Sequence, residues 1–293
     1  AGDEVIVPTL TMSATAFSVS TVGAKVVWCD SIENGFVLDP EDVKSKITDK
    51  TKAVMAVHLY GRAVDLEALR AITEPRGIPI IEDVAEGLGA SFENVKAGSK
   101  GTIACHSFHN KIVASGERGA ITLNDDALYE RLYELRTASP NNFDMDSIAL
   151  NNRMSNTASA IALAQLERIE ELIAKRRRVA EIYDQELNGL AGIEIYPERD
   201  GERCVYWRYQ IGVLPECKVS KEDLITSLSK QNISSRTIFS LMSDSPAYKN
   251  EEDLASKFPN SLKMSKQALD LPTSPIMNAE QVYRVTSAIK ELV

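Results

Sequence analysis

Apolar residues in the first half of the chain cluster in short runs. These are EVIVP (4–8), KVVWCD (25–30), KAVMAVHL (52–59), IPIIED (78–83), TIACHSF (102–108) and GAITL (119–123). Between several of them, positions 11–22, 40–48, 65–75 and 126–136 carry helical patterns. Short apolar runs separated by helices predict a mainly parallel sheet covered on both faces, the α/β class. The stretch DPEDVKSKI adds local support: Asp39 is an N-cap, Pro40 takes the first helical position, and acids fill the first turn.

The pattern then changes. From 155 to 187 the apolar positions Ile161, Leu166, Ile169, Ile173 and Val179 recur at near-helical spacing, which predicts one long helix. Beyond 190, CVYWRYQIGVL (204–214) predicts a strand, SKEDLITSLSKQNI (220–233) a capped helix, and NAEQVYRVTSAIKELV (278–293) a closing helix. The polar stretch SPNNFDMDSIALNN (139–152) predicts a loop near the junction. The expected organisation is a large α/β domain over 1–154, a linking helix over 155–190 and a smaller α+β domain over 191–293.

Composition narrows the function. The chain has 293 residues, 44% of them hydrophobic, enough for a substantial core. A net charge of −9 disfavours nucleic acid and leaves room for a local basic pocket that takes a phosphorylated small molecule. The run KRRR (175–178) reads as a solvated helix face because acids flank it. The four cysteines show no C-x-x-C spacing, so no metal site is expected and a reducing, cytoplasmic setting is. No apolar run approaches a membrane span, and the opening residues read as a turn and strand rather than a signal peptide. That opening also predicts a fragment of a longer protein.

Candidate chemistry gathers where the strands end. IPIIEDVAEG ends a run with Glu82, Asp83 and Glu86; VMAVHLYG ends another with His58 and Tyr60; TIACHSFHNK ends a third with Ser107, His109 and Lys111. Open α/β sheets bind ligands beyond the carboxyl ends of their strands. A lysine amine and an aspartate brought together there suit pyridoxal phosphate chemistry. From spacing alone the alternative stands beside it: strand-end carboxylates also serve as helix caps and salt-bridge partners.

The ordered motifs carry a resemblance that spans essentially the whole chain. GDEVIVPTLTMSATAFSVSTVGAKVVWCD, ITDKTKAVMAVHLYGRAVDLEALRAI, GIPIIEDVAEGLGASFENVKAGSKG, SFHNKIVASGERGAITLNDD and NNRMSNTASAIALAQLERIEELIAKRR together resemble the DegT/DnrJ/StrS family of sugar-nucleotide aminotransferases. The resemblance implies the aspartate aminotransferase-type fold (fold type I) and pyridoxal 5'-phosphate. It also implies transfer of an amino group, from glutamate, to a nucleotide-linked 4-keto-6-deoxy sugar. It implies that Lys111 forms the Schiff base and shuttles protons, and that Asp83 pairs with the pyridine nitrogen. Glu86 would lie near the ring hydroxyl, Ser107 at the phosphate and Met12 over the ring. Asn151 would reach the phosphate of a neighbouring subunit, which calls for a homodimer with shared sites. Tyr60, His109, Arg118 and Arg236 are the expected substrate contacts. A dehydratase of the same fold is disfavoured, since such relatives replace the lysine by histidine.

The chain also departs from the family pattern. It begins after the family's S-G-T phosphate turn, is one residue short between Ser107 and Lys111, and has Arg118 in a GERG turn that is usually GEGG. Met12 replaces an aromatic residue, and IFSLMS (238–243) lacks the usual histidines. These departures leave a second expectation open, a member that keeps the fold without efficient catalysis.

Overall fold

Six of the predicted runs form one sheet. The computed structural model describes residues 2–137, 150–248 and 255–293; most of the predicted 139–152 loop lies outside them. The strands are β1 (Glu4–Pro8), β2 (Lys25–Cys29), β3 (Thr51–Val57), β4 (Ile80–Asp83), the two-residue β5 (Ser91–Phe92) and β6 (Val95–Lys96), β7 (Ile103–Ser107) and β8 (Gly119–Thr122). The large sheet runs β2-β1-β3-β4-β7-β8. All its neighbours are parallel except β7 and β8, which pair antiparallel.

Helices α1 (Ser13–Thr21), α2 (Pro40–Lys46) and α3 (Leu66–Thr73) connect the parallel strands. Two carry aspartate caps: Asp39, as expected, accepts from Glu41 N–H at the start of α2, and Asp65 accepts from Ala68 N–H at the start of α3. α4 (Asp126–Thr137) follows β8. Every residue of β1 is buried, consistent with a central strand covered on both faces.

The long helix predicted over 155–187 is two helices, α5 (Asn156–Leu166) and α6 (Ile169–Leu187). Arg168 leaves helical geometry between them, with φ −121° and ψ 23°. The cause is packing at both sides of the break. Gln165 exchanges two hydrogen bonds with the backbone of Ala114, which pins the end of α5 to the loop after β7. α6 turns away to seat Val179, Ala180, Tyr183 and Leu187 in a second core.

That core lies on a four-stranded antiparallel sheet, order β12-β13-β11-β9. Its strands are β9 (Ile193–Ile195), β11 (Tyr209–Val213), β12 (Arg236–Thr237) and β13 (Ala268–Leu271); β10 (Glu202–Arg203) pairs instead with β5. Helices α7 (Lys221–Lys230) and α9 (Ala279–Leu292) cover it, and α8 (Pro259–Gln267) precedes β13. The run CVYWRYQIGVL is strand only from Tyr209; before it, Tyr206 takes a φ of +45°. The KRRR run is not uniformly solvated either. Arg176 shares its face of α6 with the buried Ile173 and Ala180, and is itself buried, donating to the carbonyls of Trp207 and Thr273. Arg177 pairs with Glu198.

Candidate active site

Parallel strands β3 and β4, and β7 beside them, all end on one edge of the large sheet. A cavity of about 380 Å³ lies there, bordered by Met12, Asp83, Glu86, Ser107, His109 and Lys111. Six of the residues expected from sequence thus meet in one place. The volume is in the range of small-molecule sites.

Lys111 stands in the loop between β7 and β8, one residue after Asn110, which adopts a left-handed φ of +52°. Asparagine tolerates that geometry better than most residues. The Lys111 Nζ donates to Glu86 Oε1 at 2.9 Å and sits 3.6 Å from the centre of the Trp207 ring. The Trp207 indole N–H in turn donates to the carbonyl of Asn110 at 3.0 Å. The same side chain therefore faces the lysine and fastens the loop that carries it.

Glu86 lies in the turn after β4. A Cβ at Gly87 would collide with the Cβ of His58, so glycine lets this turn lie against the end of β3. Glu86 Oε2 accepts from the Tyr60 N–H at 2.9 Å. Burial pushes the Glu86 carboxyl up to about 7, against the opposing pull of Lys111 and the Tyr60 N–H. Asp83, the last residue of β4, is held differently. Its Oδ2 accepts from the Thr15 hydroxyl at 2.9 Å, and its Oδ1 from the Ala85 N–H at 3.1 Å.

Glu82 points to the other face. It accepts from His58 Nε2 at 2.9 Å and from the N–H groups of Gly98, Lys100 and Gly101 at 2.5, 3.0 and 2.5 Å. His58 Nδ1 accepts from the Val64 N–H, so the ring proton sits on Nε2 and is donated to Glu82. Burial raises the Glu82 carboxyl, but the His58 contact and these N–H groups outweigh it and the net shift is downward.

The remaining expected residues divide. Ser107 Oγ accepts from the His109 N–H, and His109 Nδ1 lies 2.6 Å from the carbonyl of Gly116. Met12 is 47% exposed, and its sulfur accepts from Ala14 N–H at the start of α1. Tyr60 does not present its side chain as a substrate contact. It is 1% exposed, stacked between Trp207 and Phe239, and its hydroxyl accepts from the Phe239 N–H. What it offers the site is its backbone N–H.

Arg118 is absent from the cavity lining. Its guanidinium lies 3.5 Å from Asn152 Oδ1, and its φ of +77° is the left-handed geometry for which glycine would be suited. Asn151 is exposed and accepts from Arg153. Arg236 pairs with Asp270 at 3.2 Å and lies 5.9 Å from the Trp207 ring. In IFSLMS, Ser243 is fully buried and accepts from the Thr9 hydroxyl at 2.8 Å, which leaves it a packing role.

Sequence reasoning passed over Trp207 and Thr15. Trp207 lies inside a run that reads as a plain strand, and its proximity to Lys111 depends on the packing of the two sheets. Thr15 lay on a helix pattern with nothing to mark it as a partner of Asp83.

The parallel sheet, the smaller antiparallel sheet and a lysine–carboxylate cavity at the strand ends define the aspartate aminotransferase-type fold of pyridoxal phosphate enzymes. Residues 1–290 match the DegT/DnrJ/EryC1/StrS aminotransferase family, and the chain belongs to it. It is 37% identical over 295 residues to GDP-perosamine synthase of Vibrio cholerae, covering 99% of this chain and 79% of that protein. It is 36% identical over 300 residues to GDP-perosamine synthase of Caulobacter vibrioides, with the same coverage. The crystal structure of S. venezuelae DesV superposes with a TM-score of 0.93 at 30% identity, covering 99% of this chain and 78% of that one.

The chain is accordingly a pyridoxal phosphate-dependent sugar aminotransferase. The donor set fits that cofactor: one cavity holds a lysine amine, a doubly hydrogen-bonded aspartate and a serine hydroxyl. Among the described residues no helix is long and apolar enough to cross a membrane, and no cluster of potential metal ligands is present.

Proposed function

We propose that the protein transfers an amino group from glutamate to a GDP-linked 4-keto-6-deoxy sugar. The observation that carries this reading is the meeting of Lys111, Glu86 and Asp83 in one cavity. The GDP-linked acceptor rests on the likeness to GDP-perosamine synthases. Lys111, Asp83, Ser107 and Met12 would hold the cofactor, which supplies an electron sink for the pair left when a C–H bond breaks.

The protein's own groups divide the remaining work. Lys111 takes a proton from the reacting carbon and returns it. Glu86, 2.9 Å away and pushed up to about 7 by burial, can hold or release a proton beside that amine near neutral pH. Asp83, fixed by Thr15 and Ala85, keeps a carboxylate aimed into the cavity to hold a proton on the ring nitrogen. His109 and Arg236 are proposed to contact substrate.

We assign the large domain to 1–154, the linking region to 155–190 and the small domain to 191–293. A homodimer is supported by under-packed apolar positions: α5 buries only Ala162, while its Ile161 and Leu163 are about half exposed, as is Ile121 on β8. Asn151 is proposed to serve the second copy's site. Four free thiols suit the cytoplasm.

The test is a visible spectrum of protein purified with pyridoxal phosphate, before and after borohydride. A borohydride-sensitive band that Lys111→Ala abolishes, with activity falling by roughly 10⁴-fold, is the expected result. Absence of the band in the unmutated protein would overturn the reading in favour of a member that keeps the fold without catalysis.

A further inference from the structure

Three cations surround the Trp207 indole. Lys111 Nζ lies 3.6 Å from the ring centre, the Arg208 guanidinium carbon 5.1 Å and that of Arg236 5.9 Å. Two of them have carboxylate partners: Glu86 for Lys111 and Asp270 for Arg236. Arg208 has none. Its guanidinium makes no hydrogen bond or ion pair with another described residue, and its Nε is buried and unsatisfied. A fourth cation, Arg176, donates only to neutral carbonyls, has a buried Nε without a partner of its own, and adds to the local positive charge. Burial and the nearby Arg236 hold the Arg208 guanidinium below its ordinary range, against the weaker pull of Asp270 and Glu86, neither of which it pairs with directly.

An unpaired, half-buried guanidinium is unfavourable in the free protein, because the charge has lost water without gaining a directly paired counter-ion. Such groups concentrate where a ligand completes the charge balance. The chain as a whole carries −9, so this excess of positive charge is local to one spot beside Lys111. Guanidinium geometry suits planar or tetrahedral oxyanions through paired N–H donors.

We infer that Arg208 is the anchor for an oxyanion of the substrates, with Trp207 as the wall that positions the ion next to the Lys111 amine. This inference rests on the aminotransferase reading and adds a residue that none of the motifs marked. Two substrates supply that chemistry: the carboxylate of an amino-acid donor and the diphosphate of a sugar nucleotide. Both are anionic, and Arg236 stands on the same ring to share either one.

The test is calorimetric titration of cofactor-free protein with two probes, maleate and guanosine diphosphate, on the unmutated chain, Arg208→Gln and Arg208→Lys. Weakening of at least about tenfold for one probe in Arg208→Gln, largely recovered in Arg208→Lys, is expected. Loss confined to maleate assigns the donor carboxylate; loss confined to guanosine diphosphate assigns the acceptor diphosphate. Unchanged affinity for both, or no binding of either by the unmutated chain, overturns the inference. Melting temperature separates a structural role. Without an anion, Arg208→Gln should melt no lower than the unmutated protein, and a clear fall with unchanged affinities would also overturn it. Since the probes need no turnover, a wrong choice of sugar or donor amine leaves this result standing.

Discussion

Glu82 and Glu86 lie four residues apart, are both nearly inaccessible to solvent and each faces a basic side chain, yet they are built for opposite ends. Glu82 accepts four hydrogen bonds, one from His58 and three from the backbone of 98–101. Gly101 leaves room for it, since a Cβ there would press on the Glu82 side chain. Glu86 accepts one backbone N–H and one lysine. Saturation stabilises the carboxylate of the first; the scarcity of donors leaves burial dominant in the second. One is an anchor that ties a loop to the sheet, and the other is a carboxyl raised to about 7 beside the Lys111 amine.

The pH dependence of stability should carry opposite signs for the two. The Glu82 carboxyl is lowered in the folded protein, so its contribution is present above the unfolded value of 4.5 and is lost as pH falls through the folded one. The Glu86 carboxyl is raised to about 7. Below 4.5 it is protonated in both states. Between 4.5 and about 7 only the unfolded state releases its proton, so stability falls as pH rises.

Breaking the anchor should give the largest loss of stability. Glu82→Ala strands His58 and three N–H groups in the interior, and chemical denaturation should report a loss of about 3–5 kcal/mol. Asp83 sharpens the contrast from the adjacent position. Asp83→Asn should lower turnover by roughly 10³-fold while weakening cofactor binding much less, and unchanged turnover would remove Asp83 from the chemistry.

Glu86→Gln should reduce turnover by about 10²-fold and erase the limb of the pH–rate profile near 7. The same variant should flatten the fall of stability between pH 4.5 and 7, of order 2–3 kcal/mol, when melts are followed across that range. A retained slope would assign that titration to another group. The smallest effect belongs to the turn after Lys111. Arg118→Gly should relieve a left-handed φ of +77° and stabilise the protein by up to about 1 kcal/mol, read from the melting temperature.

Much of the scaffold was legible along the chain. The six runs of the first half are the six strands of the large sheet, and the caps at Asp39 and the closing helix at 279–292 lie where the pattern put them. Periodicity reports which positions face a core, so it marks elements well and their interruptions poorly. The break at Arg168 turns on Gln165 reaching Ala114, a contact between residues 51 apart in sequence. The burial of Arg176 turns on carbonyls at 207 and 273.

The site divides in the same way. Sequence alone determined that an amine, an aspartate and a serine would stand at strand ends, because strand position and chain order are local properties. It also carried the ordered motifs that mark the family. Only the tertiary structure decided what each group faces. β4 sends Glu82 and Asp83 to opposite faces because strand side chains alternate. The fold then surrounds Glu82 with donors, gives Asp83 a threonine from α1, and sets Trp207, from just before β11, against Lys111. Hydrogen-bond supply and burial are properties of the packed interior, and they separate an anchor from an acid and a paired cation from one that waits for a ligand.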